Sequence, residues 1–62
     1  MTYNVTFEKN GVIQSNLIKT YHNERLIRLY FLHTLKADRV FSVEIATDDD
    51  MKPGKPVINW NF

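Results

Sequence analysis

The chain has 62 residues, eight basic and seven acidic side chains, a net charge of +1 and no cysteine. This excludes a disulfide scaffold and a thiolate metal centre, and it gives no electrostatic footing for general nucleic-acid binding. Disorder is excluded by 44% apolar and 13% aromatic residues, but so short a chain buries only about 60% of the surface it exposes unfolded, so self-association is expected to supplement a marginal core.

Residues 2–8, TYNVTFE, alternate strictly, with Tyr3, Val5 and Phe7 on one face and Thr2, Asn4, Thr6 and Glu8 on the other. That is the pattern of a half-buried strand. Asn10-Gly11 follows, a pair that supplies the positive φ values of a tight hairpin turn. A second strand over residues 12–21 is less regular. Ile13, Leu17 and Tyr21 are expected to face the core and Val12 and Ile18 the reverse side, with a bulge between Ser15 and Leu17 reconciling the two sets.

Residues 23–36, NERLIRLYFLHTLK, carry helical spacing. Asn23 is the expected N-cap, and Glu24 suits the positive end of the helix dipole. At 100° per residue, Leu26, Tyr30, Thr34 and Ala37 form the expected core stripe, flanked by Ile27 on one side and by Leu29 and His33 on the other. Glu24, Arg25, Arg28 and Lys36 gather opposite. Leu32 and Leu35 point into that charged arc, with Phe31 at its border. Phe31, Leu32 and Leu35, edged by Arg28, therefore form the candidate protein interface, because apolar patches on small domains mark contact sites.

Residues 39–47, RVFSVEIAT, form a third strand with Phe41, Val43 and Ile45 expected on the core face. The segment DDDMKPGKP reads as a long turn containing a type II turn at Pro53-Gly54. Residues 57–62 close the chain as a short strand that places Ile58, Trp60 and Phe62 on one face. The expected fold is a single α+β domain of ββαββ order: an antiparallel four-stranded sheet with one helix packed across it.

No cofactor or metal is expected. Alternation from Asp48 through Asp50 runs into Lys52, and no glutamate follows to complete a calcium loop. His22 and His33 are eleven positions apart, and no serine or cysteine nucleophile stands in a recognisable context, so an enzyme is not expected. MKPGKP lacks the spacing of a phosphate-binding loop, and no helix follows it. An alternative nucleic-acid surface joins the sheet aromatics to Lys52, Lys55 and Arg39 as a stacking platform edged by charge. The longest mostly apolar run, LIRLYFL, is interrupted by Arg28 and too short to span a bilayer, so no membrane partner and a cytoplasmic location are expected.

VFSVEIATDDDMKPGKPVI, following a helix that begins NERLIRLYF, resembles the closing half of small uncharacterised proteins carried by phages and mobile elements of Gram-positive bacteria, most specifically over residues 46–57. The resemblance implies a setting, in which such proteins bind a host or rival protein, and transfers no activity or site residue. The sequence thus reads as a non-enzymatic binding or regulatory module, acting as a homodimer or on another protein.

Overall fold

A computed structural model describes residues 1–50, 54 and 56–61; the expectations for Lys52, Pro53, Lys55 and Phe62 lie outside the described residues. Four strands form one sheet: β1 (Thr2–Lys9), β2 (Val12–Thr20), β3 (Arg39–Ile45) and β4 (Val57–Trp60), in the spatial order β3-β1-β2-β4. One helical segment packs across it, an α-helix α1 (Glu24–Leu29) continued by a π-helical turn (Tyr30–Thr34). The α+β class and the element order are as expected; the purely antiparallel sheet is not. β1 pairs antiparallel with β2 and with β3, whereas β4 runs parallel to β2.

The hairpin is built by its turn. Asn10 at φ 54 and Gly11 at φ 79 join Lys9 to Val12 directly, in the left-handed region that matches the twist of the flanking strands. β1 and β2 then pair from Thr2↔Lys19 to Lys9↔Val12 without a break, so the expected bulge near Ser15 does not exist. Paired residues share a face, which puts Ile18 beside Tyr3 on the helix side and Leu17 beside Asn4 on the other. Both are fully buried, while Ile13 and Tyr21, expected in the core, are exposed.

The bulge is in β3. Thr6 pairs with Ser42 but Phe7 with Val40, leaving Phe41 as the extra residue. An extra residue puts two successive side chains on one side of the sheet. Val40 and Val43 accordingly pack against the helix-side core, and Phe41 turns to the opposite face, 47% exposed. This corrects the expected Phe41, Val43 and Ile45 face; Ile45 is itself exposed at the edge.

The helix begins as its sequence dictates. Asn23 Oδ1 accepts from the Leu26 backbone N–H at 3.0 Å, and Asn23 O accepts from Ile27 N–H at 3.0 Å. Beyond Leu29 the winding loosens: Leu35 N–H donates to Tyr30 O, five residues back, and Ala37 N–H reaches Phe31 O. Lys36 closes the end at φ 61. The buried stripe is Ile27 and Phe31, joined by half-buried Tyr30 and Leu35. Of the expected stripe, Ala37 is buried just past the helix end, whereas Leu26 and Thr34 are exposed. Residues four apart in an α-helix drift by about 40°, and a turn closed over five residues takes up that drift. Ile27, Phe31 and Leu35 thereby stay on the sheet.

Val5, Phe7, Ile18, Ile27, Phe31 and Ala37 form the core under the helix, with Phe7 and Phe31 rings 5.1 Å apart. β3 and β4 are not a hairpin: they occupy opposite edges, three strand spacings or about 14 Å apart. Residues 46–56 make that connection. Asn4, on the face away from the helix, donates through Nδ2 to Asp50 Oδ1 at 3.3 Å, which sets Asp50 over this face. Asp50 Oδ2 accepts from Thr47 N–H at 3.0 Å and from Thr47 Oγ1 at 3.1 Å, and Leu17 N–H donates to Pro56 O. Leu17 and Ala46 are buried here, outside the helix-side core. The small sheet therefore has cover on both faces at one end.

Candidate protein-contact surface

One short connection, the helix and the last strand bring a row of rings together. Tyr21 and His22 follow β2 immediately, and the His22 N–H donates to the hydroxyl of fully buried Thr20 at 3.1 Å, fixing the turn. β4 delivers Trp60 opposite Thr20, on the helix side, and the helix lowers Tyr30 onto it. Ring centroids are 4.5 Å apart for Tyr21–His22, 4.0 Å for His22–Trp60, 4.6 Å for Tyr30–Trp60 and 6.0 Å for Tyr30–Phe31. A continuous stack runs from the surface to the core, at spacings at which aromatic pairs add to simple burial.

The stack surfaces beside exposed apolar groups. Tyr21 is 68% exposed, and Leu26 and Leu29 are each 41% exposed. Leu26 lies one turn from Tyr30 and three residues from Leu29, so these side chains are neighbours on the helix surface. Half-buried Tyr30 and Trp60 mark where the helix meets β4, with Tyr21 joined to them through His22 and Leu26 one turn from Tyr30. Leu29, midway between Ile27 and Phe31, faces away from the sheet beside Leu26.

The residues singled out from sequence are placed differently. Phe31 is fully buried in the core, so it belongs to no contact surface while the helix stays on the sheet. Leu35 is half-buried against that core, and Leu32 is half-buried three residues along the helix from Leu29. Arg28 lies on the other flank. Its Nε is 3.3 Å from Glu24 Oε2, and its Nη1 donates to Val40 O of the edge strand at 3.3 Å. Arg39 is exposed on β3, 3.9 Å from Glu8. Of the alternative nucleic-acid set, Arg39 stands near exposed Phe41, while Lys52 and Lys55 lie outside the described residues.

The spacing of Ile27, Phe31 and Leu35 could have revealed the buried stripe, because three large apolar side chains at i, i+4 and i+8 outweigh a stripe that includes Thr34 and Ala37. Once that stripe is on the sheet, Leu26 and Leu29 must face away from its centre. Among the described residues no three histidine, aspartate or glutamate side chains converge, and no helix is long and apolar enough to cross a membrane. No protein-family model, curated protein or solved structure matches the chain.

Proposed function

We propose that the protein is a non-enzymatic binding module of the cytoplasm that acts by protein–protein contact, through the flank formed by Tyr21, Leu26 and Leu29 over the Tyr30–Trp60 stack. The observation that carries this reading is the exposure of those three apolar side chains at the surface end of the ring stack, Tyr21 through His22 and Trp60 and Leu26 one helical turn from Tyr30. Rigid aromatic groups bordered by aliphatic ones give contact area at little conformational cost, which is the make-up of energetically dominant interface centres. The resemblance of residues 46–57 to phage and mobile-element proteins supplies the setting, a host protein as partner.

Leu29→Glu tests it. A charge on an exposed helix position shifts folding stability by no more than about 0.5 kcal/mol, so circular dichroism and the thermal midpoint are expected to be unchanged. Capture of a partner from host extract is expected to fall at least about tenfold, as for a charge placed in an apolar interface centre. Equal capture by the variant and the parent chain contradicts the proposal.

A second reading, single-stranded nucleic-acid binding, is favoured by one observation: the β3 bulge turns Phe41 out beside Arg39. Glu8, 3.9 Å from Arg39, and Glu44 on the same face oppose a polyanion there. That reading requires salt-sensitive oligonucleotide binding, lost in Phe41→Ala.

A further inference from the structure

We propose that the chain forms a two-fold dimer by antiparallel pairing of β3 with β3 of a second copy, in the register Arg39↔Glu44, Val40↔Val43 and Phe41↔Ser42. This deepens the protein-contact reading and rests on it, naming a second copy of the chain as one partner and a strand edge as its site.

The backbone groups of β3 that β1 leaves unused set this register. Ala46 N–H donates to Thr2 O, and the ladder runs unbroken from Tyr3↔Ile45 to Thr6↔Ser42. Hydrogen-bonded and outward-facing residues alternate along an antiparallel strand. Glu44 and Ser42 therefore bond to β1, and Val43 and Ile45 turn their N–H and C=O to the open edge. Past the bulge the phase changes. Val40 faces outward too, and its carbonyl is indeed met from outside the ladder by Arg28.

In a regular strand, residues three apart point in opposite directions, so Val40 and Val43 could not both present backbone groups to one neighbour. The extra Phe41 makes them do so. In the proposed register each Val40–Val43 pair exchanges both of its backbone bonds with the second copy. The carbonyl of Val40 can accept a second donor while keeping Arg28, because it has two lone pairs.

The same bulge settles the side chains. A two-fold axis normal to the sheet keeps each face continuous, so paired residues must share a face. Val40 and Val43 are both on the helix side, while Arg39, Phe41, Ser42 and Glu44 are on the other. Every pair in this register meets that condition. It also sets Arg39 against Glu44 twice, once on each side of the axis, and brings the two half-exposed Phe41 rings together at the centre. Shifting the axis to Glu44 would oppose like charges, and centring it on Val43 would pair Phe41 with Ile45 across faces. The other open edge, β4, is four residues long and carries no charge from Val57 to Trp60. Self-complementary charge on an open edge favours a second copy over an unrelated strand.

Sedimentation equilibrium from micromolar to millimolar protein tests the pairing with two charge reversals. The parent chain is expected to dimerise. Arg39→Glu and Glu44→Arg are each expected to weaken dimerisation by about tenfold or more, because the repelling pair occurs twice. An equimolar mixture of the two variants is expected to form a mixed dimer. On one side of its axis the two substituted positions face each other with opposite charges, and on the other side the unchanged Glu44 of the first variant meets the unchanged Arg39 of the second. Circular dichroism of each variant shows that it is folded, and Glu44→Arg, which leaves the Arg39–Glu8 contact intact, serves alone if the other is not. A monomeric parent chain, reversals without effect, or a mixture that stays monomeric overturns the pairing. Leu29 is exposed on the helix and contributes no backbone group to the β3 edge, so Leu29→Glu is expected to leave the dimer unchanged, and loss of this pairing and loss of the helix-flank contact read out separately.

Discussion

Phe31→Ala is expected to leave about half of the molecules unfolded at 25 °C. Phe31 is fully buried, packs on Phe7 at 5.1 Å and touches Tyr30 in the ring stack. Truncating a buried phenylalanine costs about 3–5 kcal/mol, and a single core in a domain of this size supplies about 3–5 kcal/mol in all. The two figures cancel, so folded and unfolded chains should be about equally populated without denaturant: the far-ultraviolet signature of the sheet should fall by about half and the urea transition should lose its folded baseline. Leu32→Ala, one residue along at a half-buried position, should cost below about 2 kcal/mol and leave a shifted but cooperative transition. A folded Phe31→Ala variant with a near-parental midpoint would contradict the helix phase described here and favour a stripe centred on Leu26 and Tyr30.

Leu17→Ala has the second largest expected effect, and it reports on the other face. Leu17 is 1% exposed but lies outside the core beneath the helix. Its cost of about 2–5 kcal/mol therefore measures how firmly the β3–β4 connection is seated. The backbone N–H groups of Thr47 and Asp50, which bond to Asp50 Oδ2 and Thr47 Oγ1, are expected to exchange faster with deuterium in this variant. Faster exchange there at a concentration of urea that leaves β1 protected would identify local release of the connection. A loss of less than about 0.5 kcal/mol would mean that Leu17 has no cover, as expected for an exposed position.

These two positions also show what the sequence could and could not convey. β1, the Asn10-Gly11 turn, the Asn23 cap and the shared face of Ile58 and Trp60 each depend on short-range rules, and each is as read. The helix phase depends on which of several apolar sets wins. Leu26, Ile27, Leu29, Tyr30, Phe31, Leu32 and Leu35 surround most of the circumference, so periodicity supports more than one stripe; the expected one through Leu26, Tyr30, Thr34 and Ala37 is displaced by Ile27 and Phe31, and the π turn alters the angular step beyond Leu29. The candidate interface failed at Phe31 for the same reason.

In the strands the difficulty was similar. Strict alternation through Phe41, Val43 and Ile45 concealed a bulge, since an inserted residue is visible only in the pairing with β1. Adjacent Leu17 and Ile18 pointed to an irregular strand, whereas both are buried because the sheet is covered on both faces at that end. The connection of residues 46–56 is long enough to cross the sheet, and that length, more than its turn residues, was the available sign that β3 and β4 do not form a hairpin.

Protein contact through one flank of the helix is tested most directly by a photo-reactive side chain placed there. Leu29 is replaced by benzoylphenylalanine and the protein is irradiated in its native cell; Gln14, an exposed residue near the hairpin turn, carries the same group as control. A discrete protein adduct is predicted from position 29, missing from position 14 and lost when Leu26→Glu is added. The same adducts from both positions, or adducts to nucleic acid alone, would contradict the flank as the contact surface.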